Sequence, residues 1–328
     1  MKLAVVGATG MVGCEILAVL QERNFVYSKL ILVASKKSVG IKKTVNNKTV
    51  LISSLEEMLV LKPDLALFSA GSEVSKEWAP KLAKQGCKVI DNSSYWRMCS
   101  KHKLIVPEIN GNQLKREDMI IANPNCSTIQ LLLAIAPIHY KYKIKRIVVS
   151  TYQAVTGTGK KALDQLNNEE QGVAGARAYP HSIYRNVLPH IDDFEENRYT
   201  KEEMKIVNET HKILDKEILI TATTVRVPIE RGHCESVNLR LSEDFEIKEI
   251  VNILNNSEGV VVLDNIEHNE YPMPINVSGK DDVYVGRIRR DFSEEKSLNM
   301  WVAADNLRKG AATNTVQIAE YMINNKLI

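Results

Sequence analysis

One cysteine stands where a polar loop gives way to an apolar run with helical spacing. The loop and the start of the run read NPNCSTIQ at residues 123–130, and Cys126 lies at their junction. The spacing predicts a helix that begins at Ser127 or Thr128, with Cys126 just before it. Unpaired backbone N–H groups and the positive end of the helix dipole favour a thiolate there, and they can stabilise an oxyanion when sulfur attacks a carbonyl. The pattern therefore indicates a thiolate nucleophile, with a small buried cysteine near a helix start as the alternative.

A glycine-rich segment, GATGMVG at residues 7–13, follows an apolar strand pattern at 3–6 and precedes a helical pattern at 14–23. Small residues let a backbone approach a pyrophosphate, and the N-terminus of the following helix attracts its negative charge. A tight turn without a ligand is the alternative for the glycines alone. The flanking strand and helix meet the structural condition of the motif, so the segment predicts a dinucleotide site.

The end of the second predicted strand, at 30–33, bears on the choice of cofactor. An NAD site would place Asp or Glu there to bind the ribose 2′-hydroxyl. This chain has ASKKS at residues 34–38 instead. Lysine and serine suit a 2′-phosphate, so Lys37 and Ser38 favour NADP, although an ordinary solvated loop would look the same.

Strand and helix patterns alternate through the first third of the chain, with further strands at 65–68 and 88–90. Such alternation predicts parallel βαβ units and therefore a Rossmann-like, doubly wound α/β domain. The final segment, 314–324, is typical of an amphipathic helix, and we expect it to pack back onto this first domain.

The pattern changes after Cys126, where β-branched, strand-like segments alternate with polar helical stretches. These segments lie at 144–151, 219–227, 236–241 and 282–289. They predict a second domain of the α+β class. The predicted division is 1–125 plus 306–328 for the first domain and 126–305 for the second.

Length and composition describe an ordinary cytoplasmic protein of two domains. The chain has 328 residues, of which 44% are hydrophobic and 25% charged, with a net charge of +3. No basic block points to nucleic acid, and no stretch approaches the roughly 20 apolar residues of a membrane span. The cysteines form no C-x-x-C pair, which argues against a disulfide framework or a metal site. They are Cys14, Cys87, Cys99, Cys126 and Cys234.

A series of motifs, in order, resembles those of the aspartate-semialdehyde dehydrogenase family, specifically its bacterial-type members, and the resemblance runs nearly end to end. The motifs are GATGMVG at 7–13, FSAG at 68–71, DNSS at 91–94 with Arg97, VPEIN at 106–110, NPNCST at 123–128, STYQ at 150–153, RVPIERGH at 226–233, GRIRRD at 286–291 and DNLRKGAA at 305–312. Chance is not a plausible source of the whole set.

The resemblance implies an oxidoreductase that reversibly reduces L-4-aspartyl phosphate to L-aspartate 4-semialdehyde with NADPH, releasing inorganic phosphate, in lysine (diaminopimelate), threonine and methionine biosynthesis. Cys126 would attack the acyl phosphate and become a thioester, which hydride converts to a thiohemiacetal. His233 matches the family's acid/base residue, and Gln153 matches the residue that orients the substrate at the thiolate. The resemblance also implies a homodimer formed through the second domain.

The same resemblance assigns charged residues to the substrate. Arg226 would pair with the α-carboxylate, because its planar fork fits two oxygens. Glu202 would face the α-amino group, although Glu203 is adjacent and the choice rests on the family's E-E-x-K pattern. The implied phosphate contacts are Arg97, Lys205 and Asn125.

Cofactor contacts follow from the family's motifs as well. The implied set is Gly7, Thr9, Gly10, Met11, Val12, Gly13, Lys37, Ser38, Ser69, Gly71, Thr156, Gly157 and Asn306. Some residues depart from the family pattern: Lys37 replaces a common arginine, Ser72 and Glu73 stand where a further glycine is common, and Thr158 replaces alanine. Cys234 has strand-like surroundings without a helix start, so we expect it to be a packing residue.

Two other functions remain as alternatives at the level of sequence. N-acetyl-γ-glutamyl-phosphate reductase shares the layout and the acyl-phosphate chemistry, but its substrate lacks a free amine, so the carboxylate of Glu202 and the motif at 286–291 favour the aspartyl substrate. A nucleotide-binding module without catalysis would have no need for Cys126, Gln153, Arg226 and His233 together.

Overall fold

The computed structural model describes residues 1–46 and 48–328, which form two compact units. The first unit comprises Met1–Asn125 and Ala311–Ile328, and the second comprises Cys126–Gly310. The boundary predicted after residue 305 thus falls inside the second unit. The Gly310 N–H donates to the Asp305 carbonyl (3.1 Å), which folds residues 306–310 back onto the end of that unit's last strand.

Strands and helices alternate along the described chain. The strands are β1 (Lys2–Val6), β2 (Lys29–Val33), β3 (Lys42–Val45), β4 (Lys48–Ser53), β5 (Leu65–Phe68), β6 (Lys88–Asp91), β7 (Lys103–Leu104), β8 (Ile120–Ala122), β9 (Ile144–Gln153), β10 (Leu219–Arg226), β11 (His233–Leu241), β12 (Val260–Val262), β13 (Val283–Arg290) and β14 (Ser297–Ala304). The helices are α1 (Met11–Glu22), α2 (Leu55–Leu61), α3 (Ser72–Lys84), α4 (Pro107–Asn110), α5 (Cys126–Tyr142), α6 (Lys160–Glu170), α7 (Lys201–Ile213), α8 (Ile247–Asn255), α9 (Pro274–Val277) and α10 (Thr313–Asn324).

The first unit is built on an eight-stranded sheet in the order β3-β4-β2-β1-β5-β6-β8-β7. All neighbouring strands pair in parallel except β3 and β4, which are antiparallel. Alternate residues of β1 point to opposite faces of the sheet, so each face carries a core of its own. Leu3 and Val5 pack with α1 and α10, whereas Ala4 and Val6 pack with α2 and α3. The predicted doubly wound parallel sheet is confirmed.

Helix α1 begins earlier than the sequence pattern predicts, at Met11 rather than at Cys14. The sequence pattern misses the first residues of the helix, because the glycines at 7–13 are typical of a loop. Gly13 lies in the first turn, where an added Cβ would collide with the Gly7 carbonyl. Its absence of a side chain is therefore a packing requirement of the turn between β1 and α1.

The second unit is built on a six-stranded mixed sheet in the order β10-β9-β11-β14-β13-β12. Strand β11 pairs antiparallel with both β9 and β14, whereas β9 and β10 pair in parallel. The odd-numbered residues of β9 from Ile147 onward and all those of β11 are buried, and α5 contacts both strands. This sheet with its helices confirms the predicted second domain of mixed class.

Helix α5 starts at Cys126, so the cysteine is its first residue and does not precede it as predicted. Nearly every later position of α5 is buried, which explains why its apolar pattern is too continuous to define the first turn. No disulfide bond joins any of the five cysteines, all of which lie among the described residues. None of the helices formed by the described residues combines the length and the apolar character that crossing a membrane requires.

Candidate active site

Cys126 stands at the N-terminal end of a helix of 17 residues that has no acidic residue in its first turn. The first N–H groups of a helix lack intrahelical partners and carry partial positive charge. The half-buried sulfur therefore lies where negative charge is favoured. Gly310 packs against the cysteine, because a Cβ added at Gly310 would lie 2.7 Å from the Cys126 Cβ.

Gln153 ends β9, and its amide nitrogen joins three elements. Nε2 donates to Ser127 Oγ in the first turn of α5 and to Glu202 Oε1 (3.2 Å) in the first turn of α7. The amide oxygen is buried and has no hydrogen-bond partner among the described residues. A buried acceptor in that state is available to a ligand. Sequence reasoning missed the contact of Ser127, because its position suggested only a helix start.

His233 begins β11 and is fully buried. Its Nδ1 accepts a hydrogen bond from the Ala154 N–H (3.1 Å), and Nε2 has no partner in the described part of the chain. Burial, reinforced by the positive charge of Arg226 and opposed by Glu202, lowers the pKa of His233 to about 3. The imidazole is therefore neutral near pH 7, and because Nδ1 accepts, the proton is on Nε2. In this tautomer the ring can donate to an oxygen, whereas removal of a thiol proton would require the other tautomer.

Arg226 ends β10 and is buried beside His233. Its Nη1 donates to the Ala154 carbonyl (2.6 Å), and its Nε has no partner among residues 1–46 and 48–328. Gly157 lies against both side chains: an added Cβ would be 2.9 Å from Arg226 Nη1 and 3.2 Å from His233 Nε2. The missing side chain thus leaves room for a guanidinium and an imidazole side by side, and both present donors to the same place.

The structure separates the roles of Glu202 and Glu203. Glu203 forms a capping box at the start of α7, where its Oε2 accepts from the Thr200 N–H (2.7 Å). Its Oε1 accepts from the Thr224 N–H (3.1 Å), so both carboxylate oxygens serve the backbone. Glu202 instead contacts Gln153 and Lys205, and it is almost fully buried. Of the two carboxylates, only Glu202 is directed toward the residues of the candidate site.

Lys205, one turn further along α7, forms two ion pairs. Its Nζ lies 2.7 Å from Asp192 Oδ2 and 3.1 Å from Glu202 Oε2. Burial acts to lower the pKa of Lys205, but Glu202 and Asp192 outweigh it, and the pKa is raised. The ammonium is therefore charged, and its partner Asp192 was not foreseen from the sequence.

Thr156 and Asn306 are hydrogen-bonded to one another, with Asn306 Nδ2 donating to Thr156 Oγ1 (3.1 Å). Asn306 Oδ1 accepts from the N–H of Gly232 (3.0 Å), the residue before His233. These bonds brace the short turn Val155–Gly157 and the loop that leads into β11. The cofactor contacts expected of Thr156, Gly157 and Asn306 stay predictions.

Arg97 and Asn125 belong to the first unit, and both are buried. The Nη2 of Arg97 donates to the Asn92 carbonyl (2.8 Å), which fixes the guanidinium beside the end of β6. Asn125 is the residue immediately before Cys126. Their predicted contacts with phosphate remain predictions.

The glycine loop of the first unit has the shape that a dinucleotide phosphate needs. Gly7 has a positive φ of 86°, and an added Cβ would collide with the carbonyl of Ser69, so the chain there must be bare. Gly10 and Gly71 are the N-caps of α1 and α3, and neither cap carries a side-chain hydrogen bond. Two helix N-termini next to β1 and β5 thus offer backbone N–H groups to an anion.

The other predicted cofactor residues lie around this loop. Thr9 is exposed within it, and Met11 and Val12 open α1. Lys37 and Ser38 lie in the short turn Lys36–Ser38 that follows β2, and the Lys37 side chain is exposed. No acidic residue stands at the end of β2 or in this turn, and the 2′-phosphate contacts of Lys37 and Ser38 stay predictions.

Comparison with known proteins places both units. Residues 2–117 match the family model "Semialdehyde dehydrogenase, NAD binding domain", and residues 135–309 match "Semialdehyde dehydrogenase, dimerisation domain". The chain is 50% identical to aspartate-semialdehyde dehydrogenase of Aquifex aeolicus, over 100% of this chain and 99% of that protein. It is 47% identical to the Legionella pneumophila enzyme of the same name, over 98% and 95%.

Solved structures agree with these relatives. Aspartate semialdehyde dehydrogenase II of Vibrio cholerae, in a crystal structure complexed with ASA, has 42% sequence identity to this chain and a TM-score of 0.94. The similarity covers 98% of each chain.

Proposed function

Because the chain belongs to the aspartate-semialdehyde dehydrogenase family, we propose that it reduces L-4-aspartyl phosphate to L-aspartate 4-semialdehyde, reversibly and with NADPH. The observation that carries this proposal is the buried group of Gln153, Glu202, Arg226 and His233, which offers an amide, a carboxylate, a guanidinium and a neutral imidazole in one unit. Such a group suits a small zwitterionic acyl substrate better than a nucleotide alone.

Cys126 acts as the nucleophile in this proposal. Its sulfur attacks the acyl carbon of aspartyl phosphate, a C–S bond forms, the C–O bond to phosphate breaks, and inorganic phosphate leaves. The helix N-terminus stabilises the thiolate before attack and the oxyanion during it. When bound, NADPH supplies the hydride that reduces the resulting thioester. The thiohemiacetal on Cys126 then collapses to the aldehyde and the thiolate.

His233 stabilises the oxyanion that forms on the acyl carbon. In the observed tautomer Nε2–H donates a hydrogen bond to that oxygen and keeps its proton, because a neutral imidazole that lost it would become an imidazolate. The oxyanion therefore expels the Cys126 thiolate directly as the carbonyl re-forms, and a neutral donor suits this step, because a permanently charged group would hold the oxyanion too tightly to release it. The pKa of His233, lowered to about 3, keeps it neutral over the physiological range.

The charged residues hold the two ends of the substrate. Arg226 binds the α-carboxylate, and the buried Nε without a partner among the described residues supports that assignment. Glu202 binds the α-ammonium group, which an N-acetylated glutamyl substrate lacks. Lys205, Arg97 and Asn125 bind the phosphate. Their assignment is supported by the charge of the two cations.

We also propose that the cofactor is NADP and that the protein forms a homodimer. Lys37 and Ser38 after β2 support NADP rather than NAD. The match to a dimerisation domain supports a homodimer, and the reaction serves the biosynthesis of lysine through diaminopimelate and of threonine and methionine.

The test follows nicotinamide absorbance with L-aspartate 4-semialdehyde and NADP, with and without inorganic phosphate. We expect NADPH to form only with phosphate, and Cys126→Ala to abolish turnover while binding NADP normally. Cys234→Ala is the matched control, because Cys234 is buried in β11 and its pKa is raised to about 12, so its thiol does not ionise. Turnover retained by Cys126→Ala and lost by Cys234→Ala would contradict the proposed nucleophile.

A further inference from the structure

Three polar side chains with no part in the mechanism above lie directly beneath the candidate site. Gln130, Thr151 and Glu235, here called the buried polar trio, are each 0% exposed. Both polar atoms of Gln130, the Thr151 hydroxyl and both carboxyl oxygens of Glu235 lack a hydrogen-bond partner among the described residues. Buried polar groups are rare without partners, because each one left unpaired loses the hydrogen bonds that water gave it. Their convergence at one place needs an explanation.

Each member of the trio lies one step deeper than a residue of the candidate site, on the same element and the same face. Gln130 is one helical turn after Cys126 on α5. Thr151 is two residues before Gln153 on β9, and Glu235 is two residues after His233 on β11, so each pair shares a face of the sheet.

The trio also spans the three elements at one level. Glu235 is directly opposite Thr151 in the pairing of β11 with β9. Helix α5 contacts both strands, and the Gln130 amide lies close enough to the Glu235 carboxyl to lower its pKa. An upper layer of Cys126, Gln153 and His233 thus stands on a lower layer of Gln130, Thr151 and Glu235.

No charged group among the described residues is a cause of the pKa shift of Glu235. The residues that share its face at neighbouring positions are Thr151 and Gln153 of β9, His233 of β11, and Met300, Val302 and Ala304 of β14. Burial raises the pKa of Glu235 well above its ordinary value, and Gln130 only partly offsets that rise. Burial thus favours the protonated carboxyl, which has one O–H donor and one carbonyl acceptor.

We propose that Glu235 is a positioning residue: small rotations of its side chain and of Gln130 and Thr151 bring these polar atoms into hydrogen bonds with one another, which tie the first turns of α5 to β9 and β11 and so set where the Cys126 sulfur lies relative to Gln153 and His233. A neutral carboxylic acid and a primary amide can exchange two complementary hydrogen bonds, while the threonine hydroxyl rotates to join either one. Displacement of a reacting atom by about 1 Å costs on the order of 100-fold in rate, so this tie matters to catalysis.

The test compares Glu235→Gln, Glu235→Leu and Thr151→Val with the wild type. Val237→Ala is the control, because Val237 is a buried residue on the same face of β11 with no polar contact to lose. Two quantities are measured: the alkylation rate of Cys126 by iodoacetamide between pH 5 and pH 10, followed by mass spectrometry of its peptide, and kcat and KM with semialdehyde, NADP and phosphate.

We expect Glu235→Leu to lower kcat by about 10- to 100-fold, with little change of KM, and to shift the alkylation profile of Cys126. Glu235→Gln, which keeps size and hydrogen bonds, should restore both quantities nearly to wild type. Val237→Ala should lose stability without changing either. Thr151→Val removes one hydroxyl at constant shape, so it should lower kcat less than Glu235→Leu and shift the alkylation profile in the same direction. It also serves as the test if Glu235→Leu does not fold.

Several results would overturn the proposal. The first is a folded Glu235→Leu, or a folded Thr151→Val in its place, that keeps the wild-type kcat and alkylation profile. The second is a Glu235→Gln that is as impaired as Glu235→Leu. The third is a Val237→Ala whose alkylation profile shifts as that of Glu235→Leu does. The proposal rests on Cys126 as the nucleophile of the proposed function. The alkylation profile does not require turnover, so absence of activity in the wild type would contradict the function and still leave the positioning role testable.

Discussion

Two adjacent glutamates provide a sharp test of the site, because the structure gives them opposite tasks. Glu202 contacts Gln153 and Lys205, whereas both oxygens of Glu203 accept backbone N–H groups at 2.7 and 3.1 Å. Each is replaced in turn by glutamine, which preserves size and removes charge. Substrate affinity should fall in Glu202→Gln, whereas the larger loss of unfolding free energy should occur in Glu203→Gln.

For Glu202→Gln, the lost interaction is a charge-assisted hydrogen bond to the substrate ammonium. Such a bond is worth about 1.5–3 kcal/mol, which corresponds to about a 10- to 100-fold loss of kcat/KM for the semialdehyde. The glutamine oxygen can replace only one of the two acceptors that serve Gln153 and Lys205, but Lys205 keeps its ion pair with Asp192, so the free energy of unfolding should fall less than in Glu203→Gln.

For Glu203→Gln, one of the two backbone N–H groups loses its acceptor, because the amide nitrogen cannot accept. Both N–H groups are buried, so the expected loss of unfolding free energy is about 1–3 kcal/mol, with nearly unchanged kcat/KM. The measurements are steady-state kinetics with semialdehyde and urea unfolding of both variants. A kinetic defect in Glu203→Gln together with a normal Glu202→Gln would refute the assignment.

The remaining predictions concern pH and the cofactor. The pKa of His233 is lowered to about 3 in the folded chain, whereas an unfolded histidine titrates near 6.5, so the unfolded chain binds the extra proton first. The free energy of unfolding should therefore fall by a few kcal/mol as pH drops from about 6.5 toward 3. His233→Asn should reduce that loss, as measured by urea unfolding at several pH values. An identical pH dependence in the variant would contradict the burial of a neutral imidazole. Lys37→Ala should raise the Kd for NADP about 10-fold and leave that for NAD unchanged in calorimetry, since a single exposed charge on a phosphate is lost. Equal weakening of both cofactors would remove Lys37 from the 2′-phosphate site.

The sequence predicted the architecture because its patterns are local. Apolar strands at 3–6, 30–33 and 65–68 are short, buried and separated by helices, which leaves little choice besides a parallel sheet. The glycines at 7–13 identified the turn after β1, although they concealed that α1 begins at Met11. Fold class and family membership are confirmed.

The details of the site depended on contacts that spacing does not show. Glu202 and Glu203 are indistinguishable in sequence, and only the capping box separates them. The acceptor role of His233 Nδ1 comes from the Ala154 N–H, a backbone group from another strand end. The buried polar trio is equally invisible, because Gln130, Thr151 and Glu235 become neighbours only through the packing of α5 on the sheet.

The most direct test of the account is to mix the protein with L-4-aspartyl phosphate without NADPH, quench with acid and analyse the peptides by mass spectrometry. The account predicts an aspartyl adduct on the peptide that contains Cys126, absent from Cys126→Ala and discharged when NADPH is added before the quench. An adduct on another residue, or no adduct from a protein that turns over once NADPH is supplied, would contradict the thioester on Cys126.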